Sequence, residues 1–201
     1  MTSASVEASK YELIVTAARQ EIEDRGIVGL RVQEVARQAN CSVSLIYRHF
    51  TSRDGLLAHV LTEDYARNIE RWAELVDAVE AGVGPVDFER LIDKLSLPQS
   101  AYMHKMRWSR VQTLAASVDN APLRKRLSEL ARYFQSTSER LIRAIAKRNG
   151  VTIDFDVSAF TQLTMAFAFM LIHNEMLAPD EQMDDDAMRA FYRDIISRYL
   201  G

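Results

Sequence analysis

The chain has 201 residues, 48% of them hydrophobic and 26% charged, which is enough apolar material for one sizeable core or two small ones. Its single cysteine excludes an intrachain disulfide, so we expect a reducing, cytoplasmic location. The first residues lack the apolar segment of a signal peptide, and the longest apolar run, residues 165–172, is too short to span a membrane.

The first predicted helix spans about residues 8–25. Within it, Ile14, Ala18 and Ile22 recur at a spacing of four residues and form one apolar stripe. Gly26 follows directly, and glycine adopts the left-handed backbone conformation with which many helices end. The pattern therefore predicts one amphipathic helix that stops just before Gly26.

Two short helices are predicted next, at about residues 32–38 and 43–49, on either side of a polar turn at Asn40 and Cys41. Ser42 is placed to cap the second helix, because its hydroxyl can accept a hydrogen bond from an N–H group of the first turn. Two such helices, with aromatic and basic residues at the end of the second, are typical of a helix-turn-helix that reads the DNA major groove.

Apolar residues keep a helical spacing from here to the end of the chain. No β-strand pattern is evident in the sequence. Further helices are predicted at about residues 51–81, 86–95, 98–117, 120–149, 155–177 and 184–200. Thr51 and Asp54 have the spacing of a capping box for the first of these. Residues 160–177 are apolar nearly all round, so more than one face of that helix must be covered. The sequence predicts an all-α fold of about nine helices.

The charge is unevenly distributed. Residues 31–53 hold four arginines against one glutamate, a net of +3, which leaves −6 for the rest of a chain whose formal net charge is −3. A basic patch on an acidic body is typical of a DNA-binding protein with an acidic second domain. The patch is modest, so we expect weak, salt-sensitive non-specific binding.

A set of residues between about positions 10 and 61 forms a recognisable pattern of three helices, a Tyr-x-His-Phe cluster and a fourth helix start. These residues are Ile14, Ala17, Ala18, Ile22, Gly26, Val35, Ala36, Ala39, Ser42, Ile46, Tyr47, Arg48, His49, Phe50, Ser52, Arg53, Asp54, Leu56 and Leu57. With them the chain resembles the tetracycline-repressor (TetR) family of transcriptional regulators. The resemblance implies a three-helix DNA-binding domain over residues 1–55 and a helical effector-binding and dimerisation domain over residues 56–201.

Three positions depart from the family pattern. Asn40 stands where glycine is usual, although asparagine tolerates left-handed backbone better than most residues. Cys41 replaces a small aliphatic residue; we interpret it as a small buried side chain rather than a thiol switch. Arg31 precedes the second helix where a Thr or Ser cap is common, and the missing cap costs about 1 kcal/mol unless another group replaces it.

The predicted DNA-binding residues lie on and around the second helix of the motif. The resemblance implies that Val43, Ser44 and Arg48 lie near base edges, that Tyr47 and His49 hold phosphates, and that Gln33 reaches a base. Arg48 has two alternatives, a bidentate contact with guanine or a phosphate contact. Arg31 is placed to meet a phosphate. Thr51 and Arg53 lie where the fourth helix starts, and the exposed N–H groups of a helix start favour an anion. The full set is Arg31, Gln33, Ser42, Val43, Ser44, Tyr47, Arg48, His49, Thr51 and Arg53.

The last two predicted helices need a partner for their apolar surfaces. One monomer could cover them itself, whereas the resemblance implies that they pair with their copies in a four-helix dimer interface. The predicted interface residues are Phe160, Phe167, Leu171, Met188, Phe191, Ile195 and Tyr199. A two-fold dimer would read a palindromic site in double-stranded DNA.

A pocket for a small-molecule effector is implied mainly by the resemblance. Bulky apolar side chains with a few polar anchors are how such sites are lined, although the same residues also make ordinary cores. The predicted lining is Met103, Met106, Trp108, Gln112, Phe134, Met165, Phe169, His173 and Asn174. We expect no metal, no cofactor and no membrane partner.

The sequence favours a homodimeric repressor that a small apolar or amphipathic effector releases from its operator. A transcriptional activator and an effector-independent regulator stay open as alternatives, as does a helical interaction module with a degenerate DNA-binding head. An enzyme is not favoured, because the four histidines have no metal-ligand spacing and no phosphate-binding glycine loop or nucleophile motif is evident.

Overall fold

The computed structural model describes residues 3–83, 101–178 and 180–200, and within those ranges every regular element is a helix. The eight helices are α1 (Ser3–Arg25), α2 (Val32–Gln38), α3 (Val43–Phe50), α4 (Arg53–Glu80), α5 (Ala101–Ala116), α6 (Ala121–Asn149), α7 (Val157–Met176) and α8 (Asp185–Leu200). The all-α prediction is confirmed. The predicted helix at about residues 86–95 lies outside the described residues. None of the described helices is long and apolar enough to cross a bilayer.

The chain divides into two compact units. The first combines Met1–Asn68 with Gln112–Leu130, and the second combines Ile69–Val111 with Ala131–Gly201. Helices α4, α5 and α6 each contribute to both units, because the divisions fall within these three helices. The predicted boundary between residues 55 and 56 separates a DNA-binding domain from an effector-binding and dimerisation domain, and it stays a prediction.

The core of the first unit holds the helix-turn-helix in place. Ile14 of α1, Val35 of α2, Ile46 of α3 and Leu56 of α4 are all fully buried in one apolar cluster. Each helix therefore contributes at least one side chain that has left water entirely, worth about 1.5–3 kcal/mol per residue. This packing fixes the position of α3, which has only eight residues and would not be stable alone.

The turn between α2 and α3 follows the sequence-based prediction. Asn40 has a positive φ of 47°, as its place in a glycine-like position predicts. The Ser42 hydroxyl accepts a hydrogen bond from the backbone N–H of Leu45 at 3.2 Å, so the predicted cap of α3 is confirmed. Lys10 of α1 donates to the backbone carbonyl of Asn40 at 3.0 Å, a contact between residues thirty positions apart.

The junction between α3 and α4 differs from the prediction. Thr51 ends α3 with a positive φ of 67°, so it cannot also supply the extended backbone of an N-cap. Ser52 caps α4 instead, because its hydroxyl accepts from the Gly55 N–H at 3.0 Å. The predicted capping box at Thr51 is wrong by one residue. Glycine is required at position 55, where a Cβ would lie 2.0 Å from the carbonyl oxygen of Phe50.

The second unit has its own small cores. Val76 and Val79 of α4 pack with Leu141 and Ile145 of α6, and Trp72 borders them. One residue later in each turn of α6, a second cluster joins that helix to α7; it contains Ile142, Ala146, Val157 and Phe160. The side chain of Asp156 caps α7 by accepting from two backbone N–H groups.

Candidate DNA-binding surface

Helix α3 has one buried and one exposed face. Ile46 and Phe50 are buried in the core of the first unit, whereas Ser44, Tyr47 and Arg48 are exposed. Residues three and four apart share a face of a helix, so the three exposed side chains form one continuous polar surface. It combines a hydroxyl, a phenol and a guanidinium, three groups that suit contact with bases and phosphates.

The rest of the predicted DNA-binding set surrounds this helix. Val43 is half-buried at the start of α3, and Ser42 is exposed although its hydroxyl is engaged in the cap. Gln33 is exposed on α2. Thr51 is exposed at the end of α3. The structure thus leaves most of the predicted residues accessible to a partner.

Arg31 takes part in an ion pair that the sequence did not reveal. No side chain caps α2 at this position, as predicted from the absence of a hydroxyl. Instead, the Nε of Arg31 lies 3.3 Å from Oε1 of Glu21, a buried carboxylate on α1. Glu21 falls between the apolar positions Ala18 and Ile22, and its neighbours in the sequence give no signal of this partner.

Arg53, for which a phosphate contact is predicted, bonds to backbone carbonyls of its own chain. Its Nε donates to the carbonyl oxygen of Leu30 at 3.0 Å, and one Nη donates to those of Val28 and Ile27 at 2.9 and 3.2 Å. A third nitrogen lies 3.5 Å from Asp54. These bonds join the loop after α1 to the start of α4, so most of the guanidinium is committed to its own chain.

Replacing Arg53 by alanine should therefore lower stability by about 2 kcal/mol, because three carbonyls lose bonds to a charged donor. Urea unfolding followed by circular dichroism measures this loss. Arg67→Ala is the matched control, since its ion pairs on α4 are exposed and contribute little. An Arg53→Ala protein of unchanged stability that binds DNA poorly would instead support the predicted phosphate contact.

His49 is less accessible than its predicted phosphate contact requires. Its ring lies edge-on to Tyr11 of α1, with 5.7 Å between the ring centroids. Its Nε2 atom is buried and has no hydrogen-bond partner in the part of the chain that the structure describes. The ring would have to move before this nitrogen could meet a phosphate, which leaves Tyr47 as the better placed of the two predicted residues.

A cluster of aromatic rings lies beneath α3 and was not predicted. Tyr11 stacks on Phe50, with 5.2 Å between the ring centroids, and its hydroxyl lies 2.7 Å from Nε2 of His59 on α4. Burial lowers the pKa of His59 below its ordinary value of 6.5, and nearby Arg126 and Arg19 act in the same direction while Glu63 opposes them. The neutral imidazole is therefore favoured in the folded protein.

The shifted pKa of His59 predicts a pH dependence of stability. The unfolded chain takes up a proton near pH 6.5, whereas the folded chain resists it, so protonation favours unfolding. The contribution of His59 to stability should be complete above pH 6.5 and lost as the pH falls through the folded-state pKa. Urea unfolding between pH 7.5 and about 5 should show a smaller decline in His59→Gln than in the unchanged protein. Equal declines would mean that His59 is not responsible.

The predicted effector residues that the structure describes differ in burial and in the unit to which they belong. Trp108, Phe134 and Met165 are half-buried in the second unit, whereas His173 is exposed. Gln112 is exposed and belongs to the first unit. The side chains of Met103, Met106 and Phe169 lie outside those that the structure describes.

Asn174 is already used by the chain itself. Its amide nitrogen donates to the carbonyl oxygen of Met183 at 3.1 Å, and its amide oxygen accepts from the Met183 N–H at 2.8 Å. The residue is buried and closes the segment that joins α7 to α8. Both polar atoms of the Asn174 amide therefore have partners within the chain, and its role as a polar anchor for an effector stays a prediction.

The predicted dimer residues differ in how far their own chain covers them. Phe160 and Met188 are buried, and Phe160 packs against Tyr199 with 5.8 Å between the ring centroids. Phe191 and Tyr199 of α8 are 65% and 46% exposed, and Ile195 between them is half-buried. The side chains of Phe167 and Leu171 lie outside the described set.

Two exposed apolar residues on α7 were not among the predicted interface residues. Leu163 is 59% exposed, and Met170 is exposed seven residues later. Two helical turns separate them, so they lie on the same face of α7. Sequence reasoning missed them because α7 is apolar all round, and only the structure shows which face the chain leaves uncovered.

The comparisons with known proteins agree with this architecture. Residues 14–60 match the family model described as bacterial regulatory proteins, tetR family, and no curated protein matches the chain. A TetR transcription regulator from Haloarcula marismortui superimposes with a TM-score of 0.67 at 18% identity, covering 96% of this chain and 100% of that one.

Two similar structures contain ligands. The transcriptional regulator FadR from Bacillus subtilis, in complex with stearoyl-CoA, has a TM-score of 0.60 at 15% identity and covers 95% of this chain and 98% of its own. A transcriptional regulator from Saccharomonospora viridis, in complex with choline, has a TM-score of 0.62 at 20% identity and covers 98% of both chains. At these identities the likeness shows a shared fold.

Proposed function

We propose that this chain, a member of the tetR family of bacterial regulatory proteins through its residues 14–60, is a sequence-specific DNA-binding regulator of transcription that acts as a homodimeric repressor. The observation that carries the proposal is the exposed face of α3, where Ser44, Tyr47 and Arg48 lie opposite the buried Ile46 and Phe50. The core fixes this helix, so its outer face is available as a rigid reading surface.

In this proposal α3 enters the major groove. Ser44 and Arg48 reach base edges, and the half-buried Val43 presses on a thymine methyl group at the start of the helix. Tyr47 donates to a phosphate and sets the register of the helix on the duplex. Gln33 of α2 is exposed and has the amide that pairs with adenine.

The homodimer is supported by uncovered apolar surface on the last two helices. Phe191, Ile195 and Tyr199 recur at a spacing of four residues on α8, and Leu163 and Met170 share a face of α7. Exposed apolar residues clustered in this way mark interaction sites. A second copy of the chain would cover them in a four-helix interface, and its two-fold axis would impose a palindromic operator.

The effector is proposed to be a small apolar or amphipathic molecule. Trp108, Phe134 and Met165 supply half-buried apolar surface within the second unit. Two proteins of the same fold hold stearoyl-CoA and choline, a fatty acyl thioester and a quaternary ammonium. The effector would release DNA if it bound best to a conformation in which the two DNA-binding domains of the dimer no longer match successive major grooves. A coupling free energy of about 1–3 kcal/mol between the two sites gives 5- to 150-fold weaker DNA binding.

The test is selection of random duplex DNA by the purified chain, followed by affinity measurements on the enriched sequence at several salt concentrations. We expect a palindrome with half-sites about 34–36 Å apart and affinity that falls steeply with salt. A scrambled duplex of the same length is the control. Failure to enrich any sequence, with or without cell extract as a source of effector, would overturn the proposal.

A further inference from the structure

One ion-pair cluster in the first unit is not explained by packing. Glu21 lies on α1 and its side chain is only 2% exposed, although a carboxylate is among the costliest groups to bury. Two arginines meet it: the Nε of Arg25 lies 3.1 Å and the Nε of Arg31 lies 3.3 Å from the same oxygen, Oε1. The cluster joins the end of α1 to the first residue before α2.

The geometry leaves the tip of Arg31 available. The contact with Glu21 uses Nε, while the two terminal Nη nitrogens take no part in it, and 54% of the side chain is exposed. Arg31 also precedes α2 without capping it, so the chain gives up about 1 kcal/mol that a serine or threonine would provide at this position. An arginine here therefore serves something other than the stability of α2.

We infer that Glu21 is a positioning residue that holds Arg31 ready to bind a DNA phosphate. Arginine loses rotamer freedom when it is ordered in an interface, at a cost of about 0.5–1.5 kcal/mol. The buried Glu21 carboxylate holds the Nε of Arg31 in the free protein, so the side chain is already ordered before DNA binds. The two Nη nitrogens are then left to donate to the phosphate. The inference rests on the proposed DNA-binding function and adds one residue that would not itself touch DNA.

The sign of one substitution separates positioning from plain electrostatics. Glu21→Gln removes a negative charge near the DNA, which by itself should strengthen binding to phosphates. Positioning makes the opposite prediction, because Arg31 loses its charged anchor. We expect Glu21→Gln to bind the selected duplex about three- to ten-fold more weakly.

The measurement is a double-mutant cycle on the selected duplex at several salt concentrations. Arg31→Gln should weaken binding about ten-fold and lower the slope of log K against log salt by about 0.9. Adding Glu21→Gln to Arg31→Gln should cause no further loss. The control is Glu12→Gln, the same charge change on the opposite side of α1 nine residues earlier, at an exposed position, and it should not weaken binding.

Urea unfolding of each variant separates a folding defect from a binding defect. If Glu21→Gln does not fold, Arg31→Lys serves instead. Position 31 is exposed, and lysine keeps the positive charge but lacks the Nε group that contacts Glu21, so this variant should also bind DNA more weakly. Unchanged or tighter binding by folded Glu21→Gln, or by Arg31→Lys where the former is unfolded, overturns the inference and leaves the proposed function intact. Absence of sequence-specific binding by the unchanged protein overturns the proposed function, and the inference with it.

Discussion

Replacing Arg48 by glutamate should weaken binding to the selected duplex by at least about 100-fold at physiological salt. The substitution turns a cation on the exposed face of α3 into an anion that faces the DNA, so an attractive interaction becomes a repulsive one. In a dimer the change occurs twice, once in each half-site. The slope of log K against log salt should also fall, by about 0.9 for each phosphate that the protein no longer neutralises.

Fluorescence anisotropy with labelled duplex measures the affinity, and thermal unfolding checks the fold. The unfolding temperature of the variant must stay close to that of the unchanged protein for the loss of affinity to be assigned to the DNA contact. Arg143→Glu is the matched control: it makes the same charge change on α6, at a side chain that is also exposed. Equal losses in the two variants would mean that net charge, not the surface of α3, governs binding.

The second large effect concerns the surface of α7 and α8. Phe191→Asp should convert the proposed dimer to a monomer, because it places a charge on the exposed apolar face of α8 that a second copy would cover. Loss of the dimer removes the linkage between two half-sites, which should weaken binding to the palindrome by about 100- to 10,000-fold. Binding to a single half-site should change little.

Sedimentation velocity at several protein concentrations gives the oligomeric state. Leu163→Asp tests the same surface from α7, and the exposed Val118→Asp in the first unit is the control that should stay dimeric. Phe191 is exposed in the isolated chain, so these outcomes would not be confused with unfolding. A dimer that survives both Phe191→Asp and Leu163→Asp would show that another surface joins the subunits.

Local features of the first unit were predictable because they depend on neighbouring residues. The left-handed Gly26, with a φ of 75°, ends α1 as its position after an apolar stripe predicts. Ser42 caps α3 because a hydroxyl before a short helix has few other partners in reach. The alternation of buried Ile46 and exposed Tyr47 follows from the helical period alone. These signals also carry the resemblance to the family, which is why the fold and the reading helix were foreseen together.

The described helices, the end of α1, the cap of α3 and the exposed face of α3 that carries the DNA-binding proposal could be predicted from short stretches of sequence. The use of the polar side chains could not, because their partners are far away along the chain and meet them only after folding. Arg53 reaches carbonyls more than twenty residues earlier, and Arg31 meets Glu21 across the loop between two helices. Periodicity reports which face of a helix is apolar, whereas hydrogen bonding depends on which groups folding brings within about 3 Å of one another.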